Sequence, residues 1–163
     1  LPAYDTTLSD WLARHPTSHI LARQKGTRTT YPRDFFKQYK ATERLAHKVN
    51  HEAPATYPLK SRVLGILLDD HAVAYPFVEL QSFNASIFDQ QVAGHRFRVH
   101  WDPRARRAHV TDLIGRPIVS TAVYWFAWYA FHPTTGVFLD GEMTNPERPP
   151  ATAFDDARTV PDT

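Results

Sequence analysis

The sequence predicts an α+β domain: a mainly antiparallel sheet or partial barrel with a few short helices. Three observations point there. Short apolar runs bounded by turn residues fill the middle of the chain, and residues 96–101 alternate strictly between polar and apolar side chains. Helical spacing, by contrast, is confined to brief stretches. At 163 residues the chain makes one folded unit, residues 1–139, with a Pro-rich acidic tail over 140–163. A chain of this length buries a core without disulfides or a structural metal.

Taken in order, Thr6-Thr7 precede a helical pattern over residues 8–14 that His15-Pro16 stops, because the residue before proline disfavours the α region. Residues 19–22 read as a strand, followed by a basic turn around Gly26. Pro32 suits the first turn of a helix running to Lys40, with Phe35, Phe36 and Tyr39 as its apolar stripe. Residues 41–59 are irregular, broken by Pro54 and Pro58. A hairpin follows: strand 62–68, an Asp69-Asp70 turn, and strand 72–75; one helical turn covers 76–80. Residues 87–92 and 95–101 flank Gly94 as a second hairpin, in which Phe97, Val99 and Trp101 face one side and Arg96, Arg98 and His100 the other. Strands at 107–113 and 118–123 come next, around a Gly115-Arg116-Pro117 turn. Residues 124–131 fit a short buried helix, with two Ala and a stop at His132-Pro133. No regular structure is expected beyond Leu139.

Composition removes several function classes. Without cysteine there is no thiol nucleophile, thiolate zinc site or iron–sulfur cluster. No Gly-rich phosphate loop, dinucleotide fingerprint or G-x-S-x-G elbow occurs. The longest apolar run, residues 122–131, is about half of what a bilayer crossing requires. The net charge of +2 is too small to steer nucleic acid, but it is unevenly spread. Eight bases face two acids between Arg23 and Lys48, five arginines face Asp102 alone between Arg96 and Arg107, and six acids face two bases from Asp140 onward. Arg23, Lys25, Arg28, Arg33, Lys37 and Lys40, together with Arg104, Arg106 and Arg107, are therefore the candidate partner-binding residues, for an acidic protein surface or anionic headgroups. The aromatics do not alternate with these bases, as a nucleic-acid stacking platform would require.

An internal echo carries the most information. Residues 11–17 read WLARHPT and residues 128–134 read WYAFHPT, with five of seven positions identical. In each copy Trp anchors a helix to a core, Ala permits close packing, Pro ends the helix and Thr bonds the turn backbone. Trp11, His15 and Pro16 in one copy, and Trp128, His132 and Pro133 in the other, with Trp125 just before it, are thus structural residues. If each copy closes a repeat, residues 1–21 are the closing element of a repeat whose body precedes Leu1.

The segments PLKSRVLGI (58–66), HAVAYPFVEL (71–80) and VYWFAWYAFHPTT (123–135), with the opening TTLSDWLARHPTSHIL (6–21), resemble the bacterial and archaeal domain-of-unknown-function family numbered 3179. The resemblance spans about residues 6–138 and is to the second half of what look like duplicated proteins. It implies an extracytoplasmic location, often behind a signal peptide or lipid anchor, and no established activity. Family members typically carry a Cys-Pro-x-Cys segment in the first half. Here the corresponding stretch, HWDPRARRA (100–108), lacks cysteine, so no metal or redox chemistry carries over.

Nine histidines raise a metal alternative. His47 and His51 share a face if helical, with Glu52 adjacent, though not in zincin order. His95, His100, His109 and His132 are the candidates for a strand-borne metal or small-ligand site, even though the odd spacing of His95 and His100 puts them on opposite faces. No cofactor is implied. The functional expectation is a non-catalytic extracytoplasmic interaction subunit, docked through its tail or basic segment on a larger assembly, including membrane-bound electron-transfer or photosynthetic complexes. The alternative is metal or small-ligand binding by the strand histidines.

Overall fold

The computed structural model describes residues 7–21 and 36–145. It is an α+β fold of two open sheets. The helices are α1 (Leu8–Arg14), α2 (Lys37–Lys40), α3 (Phe77–Phe83) and α4 (Trp125–Phe131). The larger sheet runs β7-β1-β2-β8-β9, formed by Ser120–Tyr124, Arg62–Leu68, His71–Pro76, Gly136–Leu139 and Glu142–Thr144. The smaller runs β3-β4-β5-β6, formed by Ile87–Val92, His95–Asp102, Arg107–Thr111 and Pro117–Ile118. All pairings are antiparallel except β2 with β8, where Val73 faces Gly136 and Ala74 faces Val137.

β1 is covered on both faces, which is why it reads as a continuous apolar run rather than an alternating one. On one side Leu64, Ile66 and Leu68, with Val73 and Tyr75 of β2, meet Phe97, Val99 and Trp101 of β4 and Val110 of β5. Phe77 and Leu80 of α3 and Phe138 of β8 close this core. Each such fully buried side chain contributes about 1.5–3 kcal/mol. On the other side Val63 and Ala74 pack with Val137, Tyr57 and the α4 residues Trp125, Trp128 and Tyr129. The molecule is therefore layered as α4, large sheet, small sheet. The alternation read in residues 96–101 holds: Phe97, Val99 and Trp101 are buried and the intervening residues are not.

Several expectations are corrected. Residues 19–21 form no strand; none of the described strands pairs with them, and a strand needs a partner. Of the helix expected from Pro32, the described part is only Lys37–Lys40, and its Phe36 is exposed rather than part of a buried stripe. The helical turn after Pro76 extends to Phe83, where Asn84 ends it in the left-handed conformation. The strand expected over 118–123 is two: β6 pairs with β5 and β7 with β1, and the chain crosses between sheets at the exposed Val119. Structure also continues past Leu139, because Asp140-Gly141 (φ 47° and 91°) makes a two-residue hairpin turn that returns β9 onto β8. No helix among the described residues is long and apolar enough to cross a membrane.

Candidate functional site

The two echo segments fold alike. Each helix ends on its histidine, at φ −132°, ψ 68° for His15 and φ −133°, ψ 66° for His132. The His15 N–H donates to the Trp11 carbonyl at 2.8 Å, and the His132 N–H to the Trp128 carbonyl at 3.0 Å. Each imidazole packs on its own indole with ring centroids 4.2 Å apart. The Trp11 Nε1–H donates to Ser18 Oγ at 2.8 Å and the Trp128 Nε1–H to Thr135 Oγ1 at 2.9 Å. The hydroxyl that serves the motif is thus one residue beyond the seven that match. A hydroxyl at the seventh position after each Trp was the sequence signal for it.

What differs is the surroundings. Trp128 lies over Gly65, at the centre of β1 between Thr121 of β7 and Ala74 of β2. A side chain at position 65 would fall inside the indole ring, so glycine here makes a seat. Trp125 is fully buried beside it and donates its Nε1–H to the Pro54 carbonyl at 3.2 Å. In α1 no residue is buried: Leu8 is 56% and Trp11 36% exposed, and Ile20 and Leu21 beyond the turn are 60% and 99% exposed. Trp11 and His15 thus build the motif locally, but among the described residues Trp11 anchors no core.

The strand histidines do not converge. His95 contacts Asp69 Oδ2 at 2.9 Å near the β1–β2 turn, and His132 lies against Trp128 on the far side of the large sheet. Only His100 and His109, cross-strand partners on β4 and β5, meet, with rings stacked at 4.4 Å and 8°. His100 Nε2 also lies 3.1 Å from Thr111 Oγ1. Burial first, then the Arg98 charge, lowers the His100 pKa; burial, then His100, Arg107 and Arg14, lowers that of His109. Both shifts favour the neutral imidazole. The four histidines of the metal alternative are thus not brought together, and among the described residues no group of three or more His, Asp or Glu could hold a metal. His47 and His51 are not on a helix, so their spacing puts them on no common face. His47 and Glu52 line a recess of about 500 Å³ with Leu59 and Phe126.

Of the basic residues, Arg23, Lys25, Arg28 and Arg33 lie outside the described residues. Lys37 and Lys40 are exposed on α2, and Arg104 and Arg106 are exposed at the β4–β5 turn. Asp102 Oδ1 organises that turn by accepting from the Arg104 and Ala105 N–H groups, each at 3.0 Å. Arg107 lies 3.7 Å from Asp102 and 3.9 Å from Asp10 of α1. Lys60, which sequence reasoning did not single out, ties the irregular segment to the sheet through the carbonyls of Tyr39, Thr42 and Arg44.

Fold and site together define a two-sheet α+β domain with a Trp-His helix plug seated on a strand glycine and a second such plug outside its core. Residues 1–116 match the family described as protein of unknown function (DUF3179), and the chain belongs to that family. The match includes the first plug and the Gly65 strand, and it does not distinguish a first half from a second. No curated protein and no solved structure matches the chain.

Proposed function

We propose that this domain is a non-catalytic interaction module that works outside the cytoplasm, docked on a larger assembly. The observation that carries the reading is the exposure of residues 7–21. A segment with the internal geometry of a core element presents Leu8, Trp11, Ile20 and Leu21 to solvent. Apolar side chains gathered on one segment mark an interaction surface. The exposed bases on α2 and at the β4–β5 turn would orient the approach of an acidic partner rather than supply its affinity. The extracytoplasmic location rests on the family resemblance.

Native extraction from cells, followed by native mass spectrometry, tests the reading. A stoichiometric partner released by Trp11→Asp, with the protein in the extracytoplasmic fraction, is the expected result. A monomer in every extract would overturn it.

A further inference from the structure

The α4 plug specifies what the α1 plug fits. α4 sets three side chains against the sheet, Trp125, Trp128 and Tyr129, at helical spacing i, i+3, i+4. Aligned on the shared motif, the corresponding residues of α1 are Leu8, Trp11 and Leu12, apolar at every one of those positions. Phe131, the exposed residue at the end of α4, corresponds to Arg14. α1 thus keeps the stripe that faces a sheet and places charge where α4 faces water. The likeness continues past the turn. Val137 and Phe138 are buried in β8, which adds to β2 in parallel; their counterparts are the exposed Ile20 and Leu21. Residues 19–21 carry no backbone hydrogen bond to another described residue.

We propose that residues 7–21 dock on a β-sheet of the same build as β7-β1-β2, carried by a different protein module. Trp11 lies over a strand glycine of that sheet, and residues 19–21 add to the neighbouring strand in parallel. This identifies the partner for the interaction reading above and rests on it. A second copy of this chain is a poor host, because its Gly65 seat is filled by its own Trp128. A lipid surface is also a poor host, because it leaves the backbone groups of residues 19–21 without partners.

The chain's own seat tests the chemistry. Tyr129→Leu, Phe131→Arg and Thr135→Ser, made together in the full chain, convert residues 128–135 into the sequence of residues 11–18. The grafted chain should fold, with the Trp128 indole N–H still protected from hydrogen exchange while that of Trp11 exchanges at once. Adding Gly65→Ala to the graft should abolish that protection. A grafted chain that unfolds, or one whose Trp128 exchanges as fast as Trp11, overturns the proposal.

A photo-crosslinker at position 12 in the native cells then reads the host. Attachment to a glycine-bearing strand of another module supports the proposal. Attachment to lipid, to a second copy, or to nothing beyond a control at position 9 overturns it. The two readings fail separately: a partner that survives Trp11→Asp leaves the module reading without this inference. A graft that docks while every extract yields monomer removes the module reading and its host, and leaves only the seat chemistry standing.

Discussion

The α4 plug and the α1 plug are one piece of local structure in two environments. Helix end, capping hydrogen bond, imidazole–indole packing and indole-to-hydroxyl bond recur within small differences. Among the described residues the first has no glycine-floored sheet beneath it. The motif's shape is therefore encoded locally, by Trp, His, Pro and a hydroxyl at fixed offsets, while its energetic value depends on what lies underneath. A seven-residue helix is marginal by itself. Packing decides what it is worth.

The largest break in that comparison comes from the seat. Gly65→Val puts a branched side chain into the space of the Trp128 indole, and the expected loss exceeds about 4 kcal/mol, read by urea unfolding. Next is the pair of indoles. Trp128→Ala should cost about 3–5 kcal/mol, while Trp11→Ala in the isolated chain should stay within about 0.5 kcal/mol. Equal losses would mean that both plugs are already seated.

The hydroxyls sharpen the contrast on a smaller scale. Thr135→Val leaves the buried Trp128 N–H without its acceptor and should cost about 1–3 kcal/mol, whereas Ser18→Ala leaves an N–H that water reaches. The smallest effect is expected at Tyr75, whose buried hydroxyl has no hydrogen-bond partner. Burial holds its pKa well above the ordinary phenol value. Tyr75→Phe should be neutral or slightly stabilising in the same unfolding assay.

Histidine titration bears on the seated plug and on the small sheet. His132, in the seated plug, has its pKa lowered by burial, as do His100 and His109 on the small sheet. The unfolded chain then binds protons more readily than the folded one. The stability these rings contribute is complete above their ordinary value of 6.5 and is lost as pH falls from there through the lowered folded values. Unfolding curves taken across that window should show the loss, and His132→Gln should reduce it.

Much of the fold was legible because the responsible signals are local. The alternation of residues 96–101, the Gly94 hairpin and the helix ended by His132-Pro133 all follow from periodicity and turn chemistry. What was missed depends on long-range context. Residues 118–123 look like one strand because nothing local records that the chain changes sheets at Val119. Residues 19–22 look like a strand because Ile20 and Leu21 suit a sheet that the described residues do not contain. The Asp140-Gly141 turn was legible and was masked by the prolines that follow it. For the candidate site, the echo itself stood in the sequence, but the Gly65 seat did not. A lone glycine inside an apolar strand signals close approach without saying by what.

The most direct measurement is hydrogen exchange at the indole N–H groups of Trp11 and Trp128, compared between the isolated chain and the assembly recovered from cells. The account predicts that Trp128 is protected in both, and that Trp11 exchanges freely alone and becomes protected in the assembly. A Trp11 that exchanges as freely in the assembly as in the isolated chain would contradict it.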